Sequence, residues 1–257
     1  MSEILFCNLN NISDDVLAWG NKAVILSKLS QSGLPVPKGF VVNSSVFQQY
    51  KRLRNSNEFE SFVEEINSEL NNYICQFDLG KYELMFRSSA DAEGVQSACF
   101  CGIFDSYKYE HGQIITEPLL SVWNSTFSCA ANFYLSTIGL TSDSVNMAVI
   151  VQRFFNGTIF GTIQTRDIVK NNDSIIIEYG LNYCDAVVSG RNDTSRLVLR
   201  NNGTLLLEDS SVSISDIQRT LLYNMAKSVE NVMLSPVEIE FSINETDIAV
   251  LQARILS

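Results

Sequence analysis

The sequence predicts an α+β fold in two lobes, one richer in helix and one richer in sheet. Three observations carry that expectation. Apolar residues recur at helical spacing through much of the first half, as in Phe59, Phe62, Val63, Ile66, Leu70 and Ile74. Beyond about residue 143 the pattern changes to short apolar and alternating runs bounded by turn residues, which is how strands read. The chain has 257 residues, enough for a substantial core, and no linker-like stretch divides it. We therefore expect a single domain with lobes at about 1–143 and 144–257, and a cleft between them as the natural ligand site.

Taken in order, Val16 and Leu17 lead through Trp19-Gly20-Asn21-Lys22 into an apolar helix from Ala23, closed by Gly33 at its C-terminal cap. Lys22 then lies in the first turn of that helix. A cation gains nothing from the helix dipole there, so an anionic partner is a natural suspicion beside the plain alternative of a solvated lysine. Leu34-Pro35-Val36-Pro37-Lys38-Gly39 makes a stiff turn before a short strand over 40–42. Ser44 or Ser45 caps a helix running to about residue 54, and a second helix covers about 58–74.

Residues 82–87 form a strand ending at Arg87, followed by a flexible, donor-rich loop over 88–94 that begins Ser88-Ser89-Ala90. Residues 98–107 read as a strand, with Gly102 allowing close backbone approach. One long helix over about 117–136 carries Leu120, Trp123, Phe127, Ala130, Ala131 and Tyr134 inward. In the second half, strands are expected at 146–155, 158–164, 174–179, 196–200 and 203–207, the last two joined across Asn201-Asn202-Gly203. A helix over about 213–232 then presents Ile217, Leu221, Met225, Val229 and Val232 on one face.

The C-terminal hairpin is the most informative stretch. Alternation along 236–243 sends Val237, Ile239 and Phe241 to one face and Glu238, Glu240 and Ser242 to the other. A three-residue loop at 245–247 would place Glu240 opposite Gln252 and Glu238 opposite Arg254. Two carboxylates, an amide and a guanidinium on one face are equally a solvated strand surface or a site that holds Mg²⁺ and phosphate.

Composition narrows the classes. A net charge of −11 argues against a long nucleic-acid partner, which is bound by clustered cations, but leaves room for a small anion. No apolar run reaches the ~20 residues that span a bilayer, and residues 1–8 lack the features of a secretory signal, so we expect no membrane association. The six cysteines show no CxxC pair; Cys99-Phe100-Cys101 is a poor zinc spacing, and buried thiols in a reducing cytoplasm are the simpler reading.

The ordered set of motifs resembles the nucleotide-binding domain of the dikinase family, which includes pyruvate phosphate dikinase, phosphoenolpyruvate synthase and rifampin phosphotransferase. The resemblance spans nearly the whole chain. It rests on Gly20-Asn21-Lys22-Ala23, the run from Ser32 to Val42, Phe86-Arg87-Ser88-Ser89-Ala90 with Glu93, Phe100 and Gly102, and Ala148 to Gln152. It continues in Gly161 with Thr165 and Asp167, Val187 to Gly190, Glu238-Ile239-Glu240 and Leu251-Gln252-Ala253-Arg254.

The resemblance implies an ATP-grasp fold whose two lobes enclose a cleft for ATP and Mg²⁺. It assigns phosphate contacts to Lys22, Arg87 and Arg254, a covering loop to Gly102, Ser106 and Tyr107, and the nucleotide-pocket strand to Gln152. It makes Glu240 and Gln252 metal and nucleotide ligands. Departures from the family pattern are Gly94, Cys99, Cys101, Asn182 and Ile255.

Relatives carry the phosphate on a histidine in a separate domain. The single histidine here, His111, lies in the polar stretch Lys108 to Gln113 and reads as a surface residue. The resemblance therefore implies the ATP-using part of a phosphotransferase, with a phosphohistidine-carrying domain or subunit and a small-molecule phosphoacceptor as partners. Direct phosphorylation of a small molecule, or nucleotide binding without turnover, are the alternatives.

Overall fold

Asp15 starts the first helix by accepting from the backbone N–H groups of Leu17 and Ala18, and Gly20 stops it one turn later. That helix, α1 (Val16–Trp19), is followed at once by α2 (Asn21–Gln31). Gly33 ends α2 with a positive φ of 80°, and the Leu34 N–H reaches back to the Leu29 carbonyl at 3.1 Å, as a left-handed glycine cap requires. These details come from a computed structural model, which describes residues 5–94, 103–181 and 194–256.

Contacts divide the chain into two units, one of Met1–Ser27 with Lys38–Phe154 and one of Lys28–Pro37 with Phe155–Ser257. In the first, β1 (Phe6–Asn8), β2 (Gly39–Val42), β3 (Leu84–Ala90), β4 (Ser106–Tyr109) and β5 (Met147–Arg153) form an antiparallel sheet in the order β1-β2-β5-β3-β4. The first unit reaches Phe154, past the expected boundary near 143, because β5 is hydrogen-bonded between β2 and β3 at the centre of this sheet.

Strand alternation sorts the sheet's side chains. Phe40, Val42, Phe86, Ala90, Val149 and Val151 join a core with Phe47, Tyr50, Phe62, Ile66, Leu70 and Trp123, supplied by α3 (Ser44–Leu53), α4 (Phe59–Gln76) and α5 (Thr116–Ser125). Tyr50 and Trp123 pack in a tilted pair at 5.1 Å between ring centroids, and Trp123 is fully buried.

Three expectations change here. The cap of α3 is Asn43, whose side chain accepts from the Ser45 N–H, while the Ser44 hydroxyl donates to the Leu17 carbonyl at 2.6 Å. Ser88 and Ser89 are not in a loop: they belong to β3, paired with Val149 and Ala148, and are buried; a 3-10 turn follows at Asp91–Gly94. The long helix is two, α5 and α6 (Cys129–Thr137), because Ser128 caps α6 by accepting from the Ala131 N–H. The break rotates the second helix, so that Ala131 and Leu135 are buried and Ala130 is exposed.

The second unit holds β6 (Ile159–Gln164), β7 (Ile175–Leu181), β8 (Ser195–Leu199), β9 (Leu205–Asp209), β10 (Val237–Ile243) and β11 (Ile248–Ile255). They form an antiparallel sheet in the order β11-β10-β6-β7-β8-β9. Gly161 sits at its middle, where a Cβ would lie 2.2 Å from the Glu178 carbonyl oxygen and 2.9 Å from the Phe241 ring. Helix α7 (Asp216–Met233) contacts β10 and β11 and starts with a capping box between Ser215 and Gln218. Its buried face is Gln218, Leu222, Met225, Ala226 and Val229; Ile217 is exposed, because Gln218 turns inward to donate to the Asn244 carbonyl at 2.9 Å.

Candidate functional site

In the first unit, the turn carrying Lys22 is fastened to β3. The Ser89 hydroxyl donates to the Trp19 carbonyl at 2.9 Å and accepts from the Ala23 N–H at 3.0 Å. The Lys22 ammonium donates to the Ser88 carbonyl at 2.9 Å. Gly20 permits this approach: with φ at 73°, a Cβ there would lie 1.9 Å from the Ser89 carbonyl oxygen. The Gly20–Ala23 and Arg87–Ala90 motifs, some 66 residues apart in the chain, are thus joined through Ser88 and Ser89.

Arg87 is the one partly exposed position in β3, whose other residues are buried. It pairs with Ser106 on β4 and Ile150 on β5, so Arg87 and Ser106 share the face away from the helical core. Gln152 is on that same face, opposite Met85 and Gly39, and only 2% exposed. Gly39 leaves the room it fills, since a Cβ there would come within 2.9 Å of the Gln152 Cγ.

Tyr107 goes the other way. It pairs with Phe86 and packs on the core, and its hydroxyl donates to Asp105 at 3.0 Å. Burial first, then the hydrogen bond to Asp105 and that carboxylate's charge, raise its pKa above the usual tyrosine value. Ser106 and Tyr107 are therefore neighbours in sequence on opposite faces. Gly102, Cys99, Cys101 and Asn182 lie outside the described residues.

In the second unit the terminal hairpin has the expected pairs, Glu238 with Arg254 and Glu240 with Gln252. The route differs: the loop is four residues, with Ile243 opposite Ile248, and a register shift beyond Glu240 takes up the difference at Leu251. Asn244 closes the loop, its side chain accepting from the N–H groups of Thr246 and Asp247. Arg254 Nε and Nη2 both reach Glu238 Oε1, at 2.9 and 2.6 Å. The second Glu238 oxygen accepts from Gln164 Nε2 at 3.1 Å.

Gln164 is the residue that sequence reasoning missed. It is 74 positions from Glu238, and the one available signal was the alternation of Thr162 and Gln164 on β6. A row of polar side chains results, with Gln252, Glu240 and Thr162 paired across β11, β10 and β6, and Arg254, Glu238 and Gln164 beside them.

Magnesium prefers hard oxygen donors, keeps octahedral geometry and takes part of its shell from phosphate oxygens. Glu240 and Gln252, directly paired and both partly exposed, supply two such donors. Among the described residues there is no group of three or more His, Cys, Asp and Glu able to form an all-protein metal cage. The donor set fits a magnesium ion shared with a nucleotide.

No helix among the described residues is long and apolar enough to cross a membrane. The family model for the pyruvate phosphate dikinase AMP/ATP-binding domain matches residues 49–212, a span containing Arg87, Ser106, Tyr107 and Gln152 and flanked by Lys22 and the terminal hairpin. An uncharacterized phosphotransferase of Bacillus subtilis is 25% identical over 91% of this chain and 33% of its own length. The phosphoenolpyruvate synthase of Aeropyrum pernix is 25% identical over 87% of this chain and 32% of its own.

A rifampicin phosphotransferase of Streptomyces sviceus is 33% identical over 106 residues, 40% of this chain and 12% of that protein. The chain spans less than half the length of the curated relatives it matches. Among solved structures it is similar to the D-alanine–D-alanine ligase of Bacillus anthracis, with TM-score 0.45, 11% identity and coverage of 92% of this chain and 56% of that one. The ADP complex of N5-carboxyaminoimidazole ribonucleotide synthetase gives TM-score 0.44, 10% identity and coverage of 92% and 45%. With its central 164 residues matched by the family model, the chain belongs to the pyruvate phosphate dikinase AMP/ATP-binding domain family.

Proposed function

We propose that this chain binds MgATP and passes the β-phosphoryl group to a histidine on a separate domain or subunit, for transfer to a small-molecule acceptor. Cleavage of the α–β bond releases AMP, and water takes the γ-phosphoryl group, giving phosphate as the second by-product. The observation that supports this best is the hairpin pairing of Glu240 with Gln252 beside Glu238 with Arg254, which puts carboxylate and amide oxygens next to a guanidinium on one strand face. Phosphoryl transfer asks little covalent chemistry of a protein; it needs positioning and charge neutralisation.

In this reading Lys22, Arg87 and Arg254 neutralise phosphate oxygens, and Gln152 lines the nucleotide. Gly102 and Ser106 are assigned to the segment covering the triphosphate, to which Tyr107 contributes backbone while its ring packs on the core. Glu240 and Gln252 hold the magnesium, which supplies further charge neutralisation when bound. Glu238 and Gln164 hold the Arg254 guanidinium in place. The enzyme works in a reducing cytoplasm, where Cys7, Cys75 and Cys129 remain thiols, although Cys75 and Cys129 are exposed and not buried as expected.

The test is to incubate the chain with MgATP and an excised histidine-bearing domain of a relative, following ³¹P by NMR. Formation of phosphohistidine and AMP is expected. Absence of nucleotide binding would refute the proposal. Phosphorylation of a small molecule with no phosphohistidine would instead identify a direct kinase.

A further inference from the structure

The kink between α1 and α2 has a specific chemical filling. In a continuous helix the Ala23 N–H would bond directly to the Trp19 carbonyl, four residues earlier. The ladder runs normally up to the kink, with Gly20 N–H on the Val16 carbonyl at 2.8 Å, and resumes after it, with Val24 N–H on the Gly20 carbonyl at 3.2 Å. Between Trp19 and Ala23, in place of one of the rungs interrupted there, stands the Ser89 hydroxyl, donating to the Trp19 carbonyl at 2.9 Å and accepting from the Ala23 N–H at 3.0 Å. A side chain inserted into the ladder is a recognised cause of a sharp bend.

Both atoms of the broken rung are thereby satisfied, and Ser89 is fully buried. The consequence falls on Lys22, which lies inside the bridged turn and whose ammonium reaches the neighbouring Ser88 carbonyl at 2.9 Å. One residue of β3 thus sets the path of the turn, and the next receives its cation. Arg87 precedes them both.

We propose that Ser89 is a positioning residue for Lys22, its hydroxyl replacing the helical hydrogen bond lost at Gly20 and so holding the lysine ammonium at β3, one residue from Arg87. This rests on the reading of Lys22 as a phosphate contact. Ser89 itself touches no nucleotide; it acts through the turn.

The experiment measures the affinity of the full chain for MgATP and for adenosine in wild type, Ser89→Ala, Lys22→Ala and the double variant. Because Lys22 serves the phosphates, each single variant should weaken MgATP by about tenfold or more, the scale of a lost charge-assisted hydrogen bond, with adenosine affinity unchanged. The double variant should match Lys22→Ala alone, since Ser89 has nothing left to position. Should Ser89→Ala fail to fold by circular dichroism, Ser89→Cys, similar in shape and a weak hydrogen-bonding group, replaces it in both the single and the double variant.

Wild-type MgATP affinity in the Ser89 variant would overturn the proposal. So would equal losses for MgATP and adenosine, which mark a merely structural role, or losses that multiply in the double variant. If Lys22→Ala leaves MgATP affinity intact, the phosphate reading of Lys22 falls and the proposal falls with it. The Lys22 single variant thus distinguishes the two failures.

Discussion

Replacing Gly20 with alanine tests the docking of the Lys22 turn on β3. The residue has φ 73° and ψ 158°, a region that side chains other than glycine's hydrogen enter at about 1–3 kcal/mol. The new Cβ would also lie 1.9 Å from the Ser89 carbonyl oxygen and 2.4 Å from its hydroxyl. Strand β3 cannot retreat, being paired to β5 on one side and β4 on the other, so the turn must move. That movement breaks both hydrogen bonds of the Ser89 hydroxyl, at about 1 kcal/mol each. Alanine returns about 0.4–1 kcal/mol by restricting the unfolded chain.

The net loss expected for Gly20→Ala is about 3 kcal/mol, a large part of the 5–15 kcal/mol typical of a folded domain. Gly33→Ala is the control. Its φ is 80°, but no atom lies within 4 Å of the added Cβ, so only the left-handed backbone is penalised, by about 1 kcal/mol. Urea unfolding followed by far-ultraviolet circular dichroism reads both variants, since Gly20 belongs to the first unit and Gly33 to the second. A loss for Gly20→Ala no larger than that for Gly33→Ala would refute the argument that close approach to Ser89 governs this turn.

Other outcomes follow from the second unit. Glu240→Ala should lower MgATP affinity by about tenfold or more while leaving ATP affinity in EDTA unchanged, as calorimetric titration can show; equal losses under both conditions would remove Glu240 from the metal. Glu238→Ala removes the carboxylate that accepts from the Gln164 amide and from Arg254, and we expect urea denaturation to show about 1–3 kcal/mol of lost stability. A loss below about 0.5 kcal/mol, the scale of an exposed pair, would count against the cluster.

Tyr179 is buried, and among the described residues its hydroxyl makes no well-aligned hydrogen bond, so Tyr179→Phe should change stability at pH 7 by no more than about 1 kcal/mol. Burial first, and then the Glu208 charge, raise the Tyr179 pKa in the folded protein. Its favourable contribution is complete below the unfolded value near 10 and is lost as pH rises through the higher folded value. Wild type should therefore lose stability relative to Tyr179→Phe above about pH 10, and parallel pH profiles of the urea midpoint would contradict this.

Much of the fold was legible because it depends on local chemistry. Glycine at 33 marks a helix end, period-two alternation marks β10 and β11, and Asn201 to Gly203 marks a hairpin, each through backbone freedom or side-chain direction. Ser88 and Ser89 were misread for an equally physical reason. Small hydroxyl residues favour turns when their partners are local, and here the partners of Ser89 are Trp19 and Ala23, 70 and 66 residues away. Likewise the buried face of α7 includes Gln218 in place of Ile217, since an Asn244 carbonyl on another element needed its amide.

The pairing of Glu240 with Gln252 shows the division most clearly. Alternation along one strand determines which side chains share a face, and that much the amino-acid order settles alone. Which residue stands opposite which depends on loop length and bulges together: a loop one residue longer than expected is compensated by the extra residue Leu251. The identity of the motifs was therefore written in the chain, as was the family. The partners of Ser89, Glu238 and Gln218 were decided by the tertiary structure, because a buried polar group must find its hydrogen bond wherever the packed chain supplies one.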